Sequence, residues 1–266
     1  MTVAWILAGA GRIDGDRPVG GRSMGFPEEF IPKNVRRRLS RLILQALQVT
    51  FEAADPGIDA PLVFGTANGE IETIAMLLPA VLAPDPSVSP TLFHNSVHNA
   101  APGYWAILAR RLAASTTVTA GPATFEAALL EAVCRLEDGA PQVQVTAGDE
   151  AIRGALWADP EHCTQDFCGS LRLASRPPEG GRSLGAIESL RLGLPEDFPV
   201  PDGEEEVRVF DRNDLPGGAS HPCGSLHPLL EFLLGPPGAR RLRMRRTLAN
   251  GTMLEAVFRR ESGFDD

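Results

Sequence analysis

Cysteine is scarce in this chain. Cys134, Cys163, Cys168 and Cys223 are the four among 266 residues, and no two of them form a C-x-x-C pair. That spacing excludes a zinc ribbon and a disulfide framework and leaves buried or incidental thiols. Long apolar runs are missing too. The opening MTVAWILAGAG has only about eight apolar residues in succession and no basic flank, so it reads as a first strand instead of a signal peptide or membrane anchor. A cytoplasmic protein without a membrane partner is expected. Positive charge is in deficit: a formal net charge of -9 argues against a phosphate-backbone binder, so no nucleic acid partner is expected. Gly9-Ala10-Gly11 lacks the third glycine and the directly following helix of a dinucleotide fingerprint. It reads as the end of the first strand, and no cofactor is expected.

What is present is an alternation of strands and helices, in a chain whose 43% hydrophobic content suffices for a sizeable core. Val3 to Ala8, Pro61 to Thr66, Thr116 to Thr119, Val143 to Thr146 and residues 168–174 read as strands. KNVRRRLSRLILQALQVTFEAAD from Lys33, ANGEIETIAMLLPAVL, the segment entered at Asn99 and the run from Phe125 to Leu136 read as helices. Such alternation predicts an α/β fold with a mostly parallel sheet covered on both faces. Residues 12–33 form a long loop in which Met24, Phe26 and Phe30 are expected to pack. After Ser175 the character changes to a proline-rich and acidic connection, with a short strand at VRVF and a Gly-rich loop entering a helix in GGASHPCGSLHPLLEFL. Two closing strands are joined at Asn250-Gly251, a hairpin signal.

The chain is organised around Thr117 to Ala132, TVTAGPATFEAALLEA: a strand end, a tight corner at Ala120-Gly121-Pro122, then a helix. Many α/β enzymes present a nucleophile at such a corner, beside helix amides that stabilise an oxyanion. Here the corner offers glycine and proline. Elsewhere, His94 and His98 are four apart, as metal ligands on one helix face are, but no third ligand stands at metalloprotease spacing, and packing or capping is the competing reading. Asp149 and Glu150 at a strand end offer either acid/base work or turn capping. Arg36, Arg37, Arg38 and Arg41 crowd the start of a helix, against its dipole; they suit either an anionic partner or a solvated basic face.

RRRLSRLILQALQVTFEA, TAGPATFEAALLEA and VQVTAGDEA resemble, in this order and at these separations, the N-terminal half of β-ketoacyl synthases of the thiolase-like fold. FHNSVHNAAPGYWAI is similar to a segment of the short ketoacyl-synthase-like proteins of bacterial aryl-polyene and polyketide-type clusters, described as chain length factors. The resemblance implies one complete lobe over residues 1–175, a five-stranded mixed sheet with helices on both faces, and an abbreviated lobe over 176–266. It also implies that Gly121 stands where condensing synthases carry the acyl-accepting cysteine. A hydrogen forms no thioester, so condensation at this corner is excluded on chemistry. The assisting histidines have no assigned counterparts; His221 and His227 fall near one expected place, where Ala219 aligns better.

Two classes of function follow. In the first, the chain is a non-catalytic chain length factor that pairs with a complete β-ketoacyl synthase as a heterodimer and acts on chains held by an acyl carrier protein; without that partner, a homodimer and a monomer both stay open. By resemblance, Asn95 to Ile107 and Ala114 to Thr119 form the interface. Asn95, His98, Asn99, Thr117, Val118 and Thr119 lie in it, and Tyr104, Trp105 and Phe125 limit chain length or else pack in the core. Arg36, Arg37, Arg38 and Arg41 face the carrier protein. In the second class, the chain is a stand-alone decarboxylase or hydrolase using Cys134, Cys223 or His98.

Overall fold

The computed structural model describes residues 2–21, 27–153, 163–180, 182–198, 206–209, 214–215, 219–236, 238–248 and 250–261. Met24 and Phe26 lie outside these residues.

β1 (Ala4–Ile13) continues through the glycines that were expected to end it. Their role is close approach: a Cβ on Gly11 would lie 2.5 Å from Leu230 Cδ1, and one on Gly9 would lie 3.2 Å from both Leu171 and Leu230. The chain then turns back through β2 (Arg17–Pro18), which pairs with the end of β1, so the expected long loop begins with a short hairpin. The helix expected from Lys33 is divided into α1 (Lys33–Arg36) and α2 (Arg41–Ala53). Ser40 is the reason: it is extended, and its hydroxyl accepts the Ile43 amide at 3.0 Å, capping a new helix. α2 buries Leu42, Ile43, Ala46, Leu47, Val49 and Ala53.

β3 (Leu62–Gly65), α3 (Ile71–Leu82), α4 (Pro90–Asn95), α5 (Ala100–Leu108), β4 (Ser115–Val118), α6 (Thr124–Glu137), β5 (Gln142–Asp149) and β6 (Phe167–Ala174) follow. β7 (Gly185–Gly193) occupies a stretch given no element from sequence. Then come β8 (Glu206–Val209), the small pair β9 (Asp214–Leu215) and β10 (Ala219–Ser220), α7 (Leu226–Leu234), and the hairpin β11 (Arg241–Thr247) and β12 (Met253–Arg260).

The large sheet has the order β4-β3-β5-β6-β1-β7-β12-β11-β8. Its first five strands form the expected mixed sheet, but the pairings are evenly divided. β4–β3 and β3–β5 are parallel, joined by helical crossovers, whereas β5–β6 and β6–β1 are antiparallel. "Mostly parallel" is therefore corrected to mixed. Helices cover both faces, as side-chain alternation along β3 shows: Leu62 and Phe64 join the core under α2 and α5, while Val63 joins the core under α6 and α7.

The sheet curls strongly. Glu126 of α6 reaches Arg246 of β11 at 3.2 Å, although α6 also packs on β5. Those strands are five steps apart in the sheet, about 24 Å if it were flat. Phe125 and Leu129 of α6 and Leu226, Leu229 and Leu230 of α7 thus share one core with Met244, Leu254 and Phe258 of the closing hairpin.

Candidate functional site

The corner after β4 is built by one hydroxyl. Thr124 Oγ1 accepts the Ala120 amide at 3.0 Å and donates to the Gly121 carbonyl at 2.7 Å, closing the turn on the start of α6. Thr119 donates to the Thr66 carbonyl at 2.8 Å, which fixes the end of β4 to β3. Gly121 takes φ +54°, the left-handed region that a side chain disfavours, and a Cβ built on it would meet nothing within 4 Å. The corner is therefore shaped to hold out a residue and holds out a hydrogen. Thr124 was missed from sequence; its signal is a hydroxyl just before an apolar helical run.

Asp149 and Glu150 take the capping role. Asp149 is fully buried and accepts the Thr66 hydroxyl at 2.8 Å, the Asn68 amide at 2.8 Å and the Ala67 amide at 3.1 Å. Burial pushes its carboxyl up, and those donors and nearby His221 oppose the rise. His221 Nε2 lies 3.1 Å from the Asp149 carbonyl, and its Nδ1 accepts the Cys223 amide at 3.0 Å. With Nδ1 accepting, Nε2 is the donor. Burial pushes His221 and His227 below the ordinary histidine value, and Phe167 meets both rings edge-on. The Cys223 thiol donates to Asp149 Oδ2 at 3.7 Å and is pushed well up by burial, which disfavours the thiolate a nucleophile needs. Cys134 is exposed on α6. Among the described residues, no group of three or more His, Cys, Asp or Glu side chains is placed to hold a metal ion.

The expected interface residues fall into two sets. Trp105 and Phe125 are interior: Trp105 packs on Phe30 with ring centroids 6.0 Å apart, and Phe125 is wholly buried beneath the closing hairpin. Phe30 packs in turn on Phe51. Asn95 is also buried, where its amide donates to the Arg38 carbonyl and its oxygen accepts the Tyr104 hydroxyl at 3.1 Å. Tyr104, Thr117 and Val118 are half-buried, and His98, Asn99 and Thr119 are exposed. α4 ends at Asn95, before His98, so the two histidines do not share a helix face. His94 instead meets Tyr104 edge-on, and His98 lies against Gly69. Asn99 stands at the N-cap of α5 without a side-chain bond to it.

Around this second set spreads an apolar surface. β4 is an edge strand of the sheet, and Ile107 of α5 is 73% exposed beside it. Phe93 and Val97 are exposed around the end of α4. Sequence reading missed the largest contributor, α3, which exposes Ile74, Met76, Leu78, Val81 and Leu82 and buries only Thr73 and Leu77. Its signal was a helix apolar on all sides, a pattern suited to a covered position and here left open.

The arginines also divide. Arg36, Arg37 and Arg38 are exposed and make no ion pair among the described residues. Arg41 is half-buried at the first position of α2 and is held by Asp166 at 3.0 Å and Glu72 at 3.4 Å. It is occupied within the chain. Among the described residues, no helix is long and apolar enough to cross a membrane.

No curated protein matches the sequence. Solved structures match it in fold. A ketosynthase (ApeO) in complex with its chain length factor (ApeC) from Xenorhabdus doucetiae aligns at 20% identity and TM-score 0.60, over 96% of this chain and 99% of that one. The ishigamide ketosynthase/chain length factor aligns at 16% and 0.67, over 98% and 99%. A type II polyketide synthase acyl-carrier protein in complex with its ketosynthase bound to the hexaketide (AntDE:AntF) aligns at 11% and 0.71, over 97% and 99%. The sequence profile of the β-ketoacyl synthase N-terminal domain matches residues 18–165, more than half of the chain, and with the strand, corner and helix of that match in place this protein belongs to the β-ketoacyl synthase N-terminal domain family.

Proposed function

We propose that this protein is a chain length factor: a ketosynthase-like subunit without its own condensing chemistry, which pairs with a complete β-ketoacyl synthase and shapes the acyl tunnel of that partner during elongation on an acyl carrier protein. The observation that carries this reading is Gly121, a left-handed glycine with open space before it at the corner where the family holds its nucleophile. Near it runs an edge strand, and α3, Phe93 of α4 and Ile107 of α5 expose apolar side chains. Solved relatives in fold that are complexes of a ketosynthase with a chain length factor support the same occupant.

In this reading β4, with Thr117 and Val118, the following Thr119, and the stretch from α3 to α5, with His98, Asn99 and Tyr104, meet the synthase. Asn95, Trp105 and Phe125 support that surface from inside. Arg36, Arg37 and Arg38 face the acidic carrier protein. The division into a ketoacyl-synthase-like lobe, residues 1–175, and an abbreviated lobe, residues 176–266, belongs to the same proposal. The decarboxylase or hydrolase alternative gains no support from the buried thiol of Cys223.

Co-expression with the complete ketosynthase of the same gene cluster tests the reading. A stable heterodimer whose product length changes with substitutions on α3 is expected. Two separate monomers, with the synthase making the same products alone, would sink it.

A further inference from the structure

Helix α3 supplies five of the exposed apolar side chains of the proposed docking face, yet its root is made of carboxylates. Glu70, immediately before it, and Glu150, just past β5, are 3% and 1% exposed. Glu150 Oε1 accepts the amide of Glu72, in the first turn of α3, at 3.2 Å. Glu70 accepts the hydroxyls of Ser40 at 3.0 Å and Thr73 at 3.1 Å. With only Thr73 and Leu77 of α3 buried, these polar bonds are a large part of what holds its N-terminal end.

Charge at this root is out of balance. Glu70 and, in α3, Glu72 both lie within electrostatic reach of Glu150, and the Cys163 thiol lies within reach of Glu150, Asp149 of β5 and Asp166 before β6. The cations are Arg41, bonded to Asp166 and Glu72, and Arg153, which reaches Asp166 at 3.3 Å. Neither makes an ion pair with Glu70 or Glu150 among the described residues. On the outward side Tyr104 of α5 lies within electrostatic reach of Glu70 and Arg38, and His98 lies against Gly69. With no ion pair to either carboxyl among the described residues, and only Arg41, already bonded to Asp166 and Glu72, within electrostatic reach of Glu150, the two do not both ionise at low cost. Burial, followed by repulsion from Glu70, pushes Glu150 up to about 8. Burial pushes Glu70 up to about 7, restrained by its two hydroxyl donors.

We propose that Glu70 and Glu150 form a proton-operated latch at the root of α3, which holds the apolar face in its docking geometry while protonated and loosens it as the protons leave. The proposal rests on reading that face as the ketosynthase-docking surface and adds its regulation. A carboxyl with a raised value in the latched helix holds a proton that the opened helix gives up. Latching therefore weakens as pH rises from the ordinary carboxylate range through the raised values and is level above them.

Hydrogen exchange on the full chain tests this, with amide protection corrected for intrinsic rate and α6 as the internal reference. From about pH 6 to about pH 8.5, α3 protection is expected to fall about tenfold or more while α6 stays level. Glu150→Gln, which keeps the acceptor for the Glu72 amide, should reduce the fall, and Glu70→Gln combined with Glu150→Gln should abolish it. Affinity for the cluster's complete ketosynthase should drop over the same interval in the wild type. Level α3 protection in the wild type, or an undiminished fall in Glu150→Gln, overturns the latch. Titrating α3 protection with pH-independent affinity overturns the regulatory step. Titrating protection with no synthase binding at any pH overturns the docking reading instead, while supporting titration at the root.

Discussion

His221 donates from Nε2 to the main-chain carbonyl of Asp149, 3.1 Å away, and so closes a loop from the C-terminal part of the chain over the end of β5. The same aspartate collects the Thr66 hydroxyl, two amides and the Cys223 thiol. One buried carboxylate thus joins β3, β5 and the entry to α7.

Asp149→Ala leaves the Thr66 hydroxyl and the Ala67 and Asn68 amides without their acceptor. At about 1–3 kcal/mol for each orphaned group, a stability loss of at least about 3 kcal/mol is expected in urea unfolding. His221 contributes to the acid side, together with His227, which burial lowers as well. Because burial lowers the folded value of His221, its stabilising contribution is full above the ordinary histidine range and is lost as pH falls toward the depressed value. His221→Phe should flatten the acid limb of the stability profile, and an unchanged limb would assign acid unfolding to other groups.

Gly121→Cys has room for its side chain but adopts a left-handed backbone, at a cost of about 1–2 kcal/mol. The variant should fold and present a thiol that alkylating reagents reach. It should still fail to condense acyl and malonyl chains supplied on carrier protein, since the corner lacks assigned histidine partners. Efficient product formation, read by mass spectrometry, would show that those partners are present and unrecognised.

Leu78→Asp on α3 and Ile107→Asp on α5 change exposed residues, so thermal stability should move by no more than about 0.5 kcal/mol. Co-purification with the synthase should fall sharply. Trp105→Ala is the contrast: it empties core space beside Phe30 and should cost about 3–5 kcal/mol. If the exposed substitutions leave the complex intact, the synthase docks elsewhere.

Charge reversal at Arg36, Arg37 and Arg38 should weaken carrier-protein binding and flatten its salt dependence with little change in stability. Arg41→Ala should do the opposite. It strips a cation from Asp166, a nearly buried carboxylate, and about 1–3 kcal/mol of stability should go with it. Calorimetric titration against acyl carrier protein, paired with urea melts, separates the two outcomes.

Much of this was legible in the chain because it depends on local chemistry. The strand, corner and helix around Gly121 follow from β-branched residues, a Gly-Pro pair and helical periodicity. The closing hairpin follows from Asn250-Gly251. Ser40 was legible in principle and overlooked, since the apolar period of the helix runs on across the break and masks the cap. The path of β1 through Gly9 and Gly11 was not legible, because what demands glycine there is Leu230, some two hundred residues later.

By itself the sequence determined the absence of a nucleophile at the corner, the layered α/β alternation and the family, since each rests on residue type and order along the chain. Only the tertiary structure decided which apolar residues are core and which are surface. Trp105 and the side chains of α3 are equally hydrophobic, and what separates them is whether the curled sheet and its helices happen to cover them. The same holds for Arg41 and Arg38, one paired with Asp166 across the fold and the other left to the solvent. Burial and pairing are properties of distant segments brought together, and no local pattern encodes them.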